Sequence, residues 1–145
     1  MNVVIGSDHG GYELKEALVP FLKEEGFDVL DVGTHDLASV DYPDFAKKVT
    51  EVVLEESILG ILICGTGIGI SIAANKVKGI RAALCSEEFS ARMSRRHNNA
   101  NILCLGGRTT GVELAKSIVK AYLEEDFEGG RHQRRVELIE DNSML

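Results

Sequence analysis

Residues 60–69, with the sequence GILICGTGIG, join a short apolar run to a glycine-rich loop. The run over residues 61–64 has the length and composition of a strand that is buried on both faces of a parallel sheet. The glycine loop spans residues 65–69, and a helix is predicted to begin near Ile70. Strand, loop and helix in this order predict a βαβ unit and therefore an α/β fold.

Four further apolar runs have the same character, at residues 3–5, 29–32, 80–85 and 102–105. Helical spacing separates them, as in Leu14, Leu18 and Leu22, which recur every four residues. The other predicted helices cover residues 45–56, 70–76, 87–96, 112–124 and 131–140. This alternation predicts a three-layer α/β/α sandwich with a five-stranded parallel sheet and an extra C-terminal helix. The length of 145 residues favours one domain over 1–145.

Charge and cysteine content exclude several classes of protein. Lys and Arg number 16 against 23 Asp and Glu, a net charge of −7, which argues against a nucleic-acid partner. Cys64, Cys85 and Cys104 lack CxxC spacing, so free thiols are expected rather than a disulfide framework or a zinc site. No apolar run reaches the roughly 18 residues of a membrane span, and residues 1–8 lack signal-peptide features. We therefore expect a cytoplasmic protein without a membrane partner.

The glycine loop is a candidate anion site, because ligands of open parallel sheets bind at the carboxyl ends of the strands. It does not match the dinucleotide or Cys-x5-Arg phosphatase patterns, which require Gly or Arg where Ile70 stands, and it lacks the Gly-Lys of a P-loop. A helix N-terminus lowers the pKa of a thiol, so Cys64 is a candidate base or nucleophile. Packing at a strand end explains Cys64 as well. Thr66 likewise has two possible roles: its hydroxyl could stabilise an oxyanion, or it could cap the helix.

Other candidate residues lie after the strands and on the last helix. Asp8 is either an N-cap or functional, and His9 beside it has no structural role in the sequence. His97 ends a predicted helix, where a protonated imidazole is favoured electrostatically. His132 lies among arginines, facing either phosphate or solvent. Arg131 and Arg135 share one helix face, and Arg108 follows a strand, so the three are either an anion clamp or, for the helix pair, a solvated surface.

Several motifs together resemble type B ribose-5-phosphate isomerase, a family that also contains the galactose-6-phosphate isomerase subunits. They are Asp8-His9, Asp41-Tyr42-Pro43, residues 60–76, Gly79-Ile80-Arg81-Ala82, residues 95–101 (RRHNNAN) and residues 129–135 (GGRHQRR). The resemblance covers about residues 2–140. It implies an aldose–ketose isomerase without metal or cofactor, with a Rossmann-like fold and a homodimer with shared active sites. Pairing of dimers into a tetramer is left open.

The resemblance also implies roles for individual residues. Cys64 is the proton acceptor and His97 the acid that opens the sugar ring, while Thr66 and Asp8 complete the catalytic set, with Asp8 or water taking the O1 proton. Contacts with the sugar phosphate are implied for Asp8, His9, Tyr42, Gly65, Thr66, Gly67, Ile68, Gly69, Asn98, Arg108, Arg131 and Arg135. The family places the His-Asn pair and the arginines across the dimer interface from the cysteine loop.

The expected reaction interconverts D-ribose 5-phosphate and D-ribulose 5-phosphate, a step of the pentose phosphate pathway, through a cis-enediolate. Galactose 6-phosphate or allose 6-phosphate is the alternative substrate. An alternative from another class is a receiver or flavodoxin-like signalling module, which shares the βα pattern. A receiver needs a carboxylate after the third strand and a Lys after the fifth, where this chain has Cys64 and Gly106-Gly107.

Overall fold

The structure is a computed structural model that describes residues 1–141. Within these residues, strands and helices alternate until the sheet is complete. The strands are β1 (Asn2–Ser7), β2 (Asp28–Asp31), β3 (Leu59–Cys64), β4 (Ala82–Leu84) and β5 (Ile102–Gly106). The helices are α1 (Tyr12–Glu24), α2 (Tyr42–Glu56), α3 (Ile68–Asn75), α4 (Glu88–Arg96), α5 (Val112–Glu124) and α6 (Arg131–Glu140). The predicted alternation and the extra C-terminal helix are confirmed.

The five strands form one parallel sheet in the order β2-β1-β3-β5-β4. In the register of β3 and β5, Gly60 pairs with Ile102 at one edge of the sheet and Cys64 pairs with Gly106 at the other. Because all strands run the same way, the first pair marks the amino edge and the second the carboxyl edge. These two edges carry different parts of the candidate site.

Alternate residues of each strand enter two separate cores. Ile61 and Ile63 of β3 pack with the apolar sides of α1 and α5, whereas Leu62 and Cys64 pack with α2 and α3. Both sets are almost fully buried. This explains why the strands read as continuous apolar runs, since both faces of the sheet are covered by helices.

Most element boundaries differ from the sequence-based prediction by one to three residues, and the differences at β4 and α3 have a visible cause. The apolar run 80–85 contributes only Ala82–Leu84 to β4, because the amide of Arg81 donates to the Asn101 side chain, 2.8 Å away, instead of to a strand. Helix α3 begins at Ile68 rather than near Ile70. Gly67, with φ of 80°, supplies the left-handed turn that lets the helix begin two residues earlier.

No helix among residues 1–141 is both long enough and apolar enough to cross a membrane.

Candidate active site

The crevice of the sheet lies between the ends of β1 and β3. The chain moves from β1 outward to β2 and then returns to place β3 on the other side of β1. In open α/β sheets, ligands bind at the carboxyl ends of the strands where the order reverses in this way. Asp8 and His9 follow β1 at this point, and the glycine loop follows Cys64 at the end of β3. The fold therefore selects the same residues that the sequence analysis selected.

Cys64 ends β3 with its thiol turned toward the glycine loop. The amide of Gly67 donates to Cys64 Sγ over 3.2 Å, and the side chain is 5% exposed. Gly67 is also the residue that precedes α3, so the positive end of the helix dipole faces the sulfur. The surroundings of Cys64 thus suit a sulfur that accepts a proton.

Thr66 and Tyr42 complete this loop. Thr66 Oγ1 accepts from the Ile68 amide at 3.2 Å, whereas the N-cap residue of α3 is Gly67, which supplies no side-chain cap. The hydroxyl proton remains available to a ligand, since Thr66 is exposed. The Tyr42 ring lies against Gly69, where a Cβ would stand 2.7 Å from Tyr42 Cζ. Glycine at 69 therefore leaves room for Tyr42 beside the loop.

Asp8 and His9 lie beside the same loop. A Cβ on Gly10 would be 3.1 Å from the Gly65 amide and 3.3 Å from Asp8 Oδ1, which places both around Gly10. Asp8 is 6% exposed, and its Oδ1 accepts from the Gly11 amide at 3.1 Å in a turn before α1. His9 Nδ1 accepts from the Val40 amide at 3.2 Å, so the proton of the neutral ring is on Nε2. His9 is thereby oriented as a donor through Nε2.

Arg108 follows β5 and lies on the carboxyl edge with Cys64. Its amide donates to the Gly65 carbonyl at 2.9 Å, and its Nη1 would be 3.4 Å from a Cβ on Gly65. The expectation that all the arginines lie across an interface from the cysteine loop is therefore wrong for Arg108. The physical reason is the parallel pairing of β3 with β5, which brings both strand ends together within one chain.

His97 and Asn98 lie at the opposite, amino edge of the sheet. They follow α4 and precede Asn101, whose carbonyl accepts from the amide of Gly60 at the start of β3. From Gly60 to Cys64 the strand advances about 13 Å at roughly 3.3 Å per residue. Within one chain, His97 and Cys64 are thus separated by the length of the strand.

The last helix brings further side chains to the amino edge. The rings of His97 and His132 stack with centroids 4.2 Å apart and planes 10° apart. Glu128 Oε1 is 3.8 Å from His97 Nε2 and 3.5 Å from His132 Nε2. His132 is not solvent-exposed, since only 7% of its surface is accessible. Its pKa is lowered because burial disfavours the charged ring and because His97 and Arg131 repel a proton there.

Glu128 was missed by the sequence analysis. The signal available was its spacing of four residues from His132, which aligns two side chains when the segment is helical. Because Glu128 precedes α6 and is not helical, the spacing alone does not predict that Glu128 and His132 are in contact, and only the fold shows it.

The arginines divide into two groups by their partners. Four hold the structure together through ion pairs or hydrogen bonds, as when Arg81 Nη1 contacts Glu140 Oε1 at 2.7 Å. The others are exposed and, within residues 1–141, their guanidinium groups form neither a hydrogen bond nor an ion pair; they are Arg108, Arg131, Arg134 and Arg135. Unpaired guanidinium groups are available to an anion. The three arginines selected from the sequence all belong to this group.

The two remaining thiols are packing residues, as predicted. Burial, followed by the charge of Glu87, raises the pKa of Cys85 to about 11. Burial also raises the pKa of Cys104, which is fully buried within β5. Both sulfurs therefore remain thiols at neutral pH, and neither suits proton abstraction.

An open parallel sheet with a thiol and the unpaired Arg108 at its carboxyl edge is typical of a small-molecule enzyme that handles anionic substrates. The chain matches the family described as Ribose/Galactose Isomerase over residues 3–139, and it belongs to that family. It is 52% identical over 138 residues to "Ribose-5-phosphate isomerase B" of Escherichia coli (strain K12), covering 94% of this chain and 93% of that protein. Family membership favours an isomerase over a receiver or flavodoxin-like module.

Solved structures of the same kind agree with the fold. The ribose-5-phosphate isomerase B of Clostridium thermocellum superposes with a TM-score of 0.96 at 56% identity, covering 99% of this chain and 98% of that one. Ribose-5-phosphate isomerase B from Mycoplasma genitalium, solved with bound ribulose-5-phosphate, superposes with a TM-score of 0.93 at 46% identity. That match covers 99% of this chain and 96% of the other.

Proposed function

We propose that this chain interconverts D-ribose 5-phosphate and D-ribulose 5-phosphate. The observation that carries the proposal is Cys64 Sγ at the sheet crevice, accepting from the Gly67 amide, with the unpaired Arg108 beside the same loop. The relatives described as ribose-5-phosphate isomerase B support the choice of substrate.

Cys64 serves as the base for the hydrogen transfer. Its thiolate removes the proton from C2 of the open aldehyde, and the electrons of that C–H bond move into the enediolate. The same thiol then returns the proton to C1 while the hydroxyl proton of O2 is transferred to O1, which leaves a hydroxyl at C1 and the ketone at C2 and regenerates the thiolate. One base serves both positions because the two carbons are adjacent.

The glycine loop stabilises the intermediate. The cis-enediolate carries negative charge on oxygen, and preorganised donors at that position lower the barrier. The amides of the loop and the free proton of the Thr66 hydroxyl are the donors at the crevice. Asp8, beside Gly65, or a water takes the proton from O1 during ring opening.

His97 supplies the proton to the ring oxygen, and Arg131 and Arg135 bind the phosphate together with Arg108. Since His97 lies at the opposite sheet edge from Cys64, we infer that these groups come from a second copy of the chain. A complete site then requires a homodimer. Apolar side chains on α3 and at the end of β4 are exposed in the single chain: Ile68, Ile72 and Leu84 are 52%, 56% and 42% exposed. A second copy packed against them would bury this apolar surface, which supports the homodimer.

The test is an assay of the purified chain with ribose 5-phosphate, allose 6-phosphate and galactose 6-phosphate. We expect the highest kcat/KM with ribose 5-phosphate. Preference for a hexose phosphate would contradict the proposed substrate, and absence of turnover with all three would contradict the isomerase itself.

Cys64→Ala tests the base. The variant is expected to lose turnover by several orders of magnitude while it still binds phosphate-bearing inhibitors, because the arginines remain. Cys85→Ala is the matched control, since it removes a thiol outside the crevice, and it should retain turnover. Near-normal turnover of Cys64→Ala would eliminate this mechanism.

A further inference from the structure

His97, Glu128 and His132 form a cluster with the donor set of a transition-metal site. One ligand atom from each residue lies within 4.8 Å of the others, and both imidazole Nε2 atoms face the same carboxylate oxygen. Two imidazoles and one carboxylate are the ligands that Zn²⁺ takes in many open sites. We call these three residues the His-Glu-His cluster.

No hydrogen bond explains the cluster within the described residues. The Nε2–Oε1 separations of 3.8 and 3.5 Å exceed hydrogen-bond length. Around a tetrahedral Zn²⁺ with bonds of roughly 2.0–2.2 Å, ligand atoms stand about 3.3 Å apart. The two Nε2–Oε1 separations therefore need to shorten by about half an ångström or less, and the stacked rings must also turn so that both Nε2 atoms, which lie within 4.8 Å of each other, face one ion.

The backbone around the cluster is held in place. The Glu128 amide donates to the Arg96 carbonyl at 3.0 Å, which joins its segment to the end of α4 directly before His97. The His132 amide donates to the Gly129 carbonyl at 3.1 Å at the start of α6. Backbone hydrogen bonds therefore hold the segment of Glu128 and His132 beside the end of α4, where His97 lies.

The cluster is also open to solvent on one side. The His97 and Glu128 side chains are 38% and 47% exposed, whereas the His132 side chain is 9% exposed. A site with three protein ligands and an open side leaves a coordination position for water or another ligand. In a single chain, an ion can reach the cluster without unfolding any element.

We propose that the His-Glu-His cluster binds a divalent transition-metal ion such as Zn²⁺, and that the bound ion inhibits the isomerase. An ion bound at His97 Nε2 occupies that nitrogen, so the nitrogen cannot also donate to the sugar ring. His97 then has no proton to give to the sugar ring. The inhibitory consequence rests on the proposed function, whereas binding of the metal does not.

The first measurement is titration of Zn²⁺ into the metal-free full chain by calorimetry. We expect one Zn²⁺ per chain, with affinity weakened by about tenfold or more in both Glu128→Gln and His132→Gln. His35→Gln is the matched control, because it removes an exposed imidazole outside the cluster, and it should bind as the parent chain does. Two variants are used because replacing the buried His132 could impair folding, whereas Glu128 is exposed. Failure of the parent chain to bind Zn²⁺, or unchanged affinity in both cluster variants, would overturn the site.

The second measurement is turnover of ribose 5-phosphate with added Zn²⁺. Inhibition should be reversed by a chelator and should require at least about tenfold more Zn²⁺ in Glu128→Gln. Zinc binding without inhibition overturns the regulatory half of the proposal. A chain that binds Zn²⁺ at the cluster but never isomerises a sugar phosphate contradicts the proposed function instead.

Discussion

Residues of one type have different roles in this chain because their surroundings differ. Cys64 accepts a hydrogen bond from the Gly67 amide at a helix N-terminus, whereas Cys85 and Cys104 are held as thiols by burial. The arginines separate in the same way. Arg95 donates to the Ala100 carbonyl at 2.6 Å and supports the turn after α4, whereas Arg108 has no side-chain partner among the described residues. Reactivity follows the local donors and charges rather than the residue type.

At the residue scale, His97→Ala separates ring opening from proton abstraction. We expect a large loss of turnover with ribose 5-phosphate, which is cyclic in solution, and a smaller loss with a linear analogue that needs no ring opening. The measurement is kcat/KM of parent and variant with both substrates. Equal losses with the two substrates would count against His97 as the ring-opening acid.

At the scale of elements, an ion-pair network joins the end of α4 to the segment after α5. Glu125 Oε2 lies 2.5 Å from Arg96 Nε, and Glu125 Oε1 lies 2.6 Å from Arg92 Nη1. The network is adjacent to the hydrogen bond between Glu128 and Arg96. It therefore sets the distance between His97 at the end of α4 and His132 on α6. The arginines of α4 position the candidate acid without contributing to the reaction.

This network makes stability depend on pH. The hydrogen bonds from Arg96 and Arg92 lower the pKa of Glu125 below its ordinary value of 4.5, so its contribution is complete above that value and is lost as pH falls through the lowered pKa. Glu125→Gln should lower the Tm at neutral pH, and the difference from the parent should shrink below pH 4.5. Thermal unfolding monitored by circular dichroism at several pH values measures this.

Glu124→Gln is the matched control for the network. Its carboxylate is 3.8 Å from Arg92 and its side chain is 49% exposed, so we expect little change in Tm at any pH. A Tm difference for Glu125→Gln that is the same at neutral and acidic pH would show that the ion pairs do not carry the effect.

At the scale of the whole molecule, the parallel sheet divides the candidate site into two halves. Cys64, Thr66, Tyr42 and Arg108 are at the carboxyl edge, whereas His97 and the α6 arginines are at the amino edge. Residues on opposite edges of one sheet cannot meet within a chain. The proposed homodimer resolves this by placing the amino edge of one copy against the carboxyl edge of the other, as expected for a closed two-fold pair.

A dimer made of two different inactive chains tests the shared site. Cys64→Ala and His97→Ala chains with different tags are co-expressed, and the dimer carrying both tags is isolated. One of its two sites then combines both defects and the other has none, so about half of the parent activity should return. Dual-tagged dimers as inactive as the two single variants would show that each site lies within one chain. Failure to recover any dual-tagged dimer would contradict the homodimer.

The sequence alone predicted the α/β/α sandwich, the glycine loop with Cys64, and Arg108, Arg131 and Arg135 as candidates for anion binding. These features follow from local patterns, because strand burial, helix periodicity and turn chemistry depend on neighbouring residues. The tertiary structure decided the strand order, the shorter β4, the placement of Arg108 beside Gly65, and the stacking of His132 on His97 near Glu128. These depend on which strands pair and on where α6 lies relative to the end of α4, which are contacts between residues far apart in the chain.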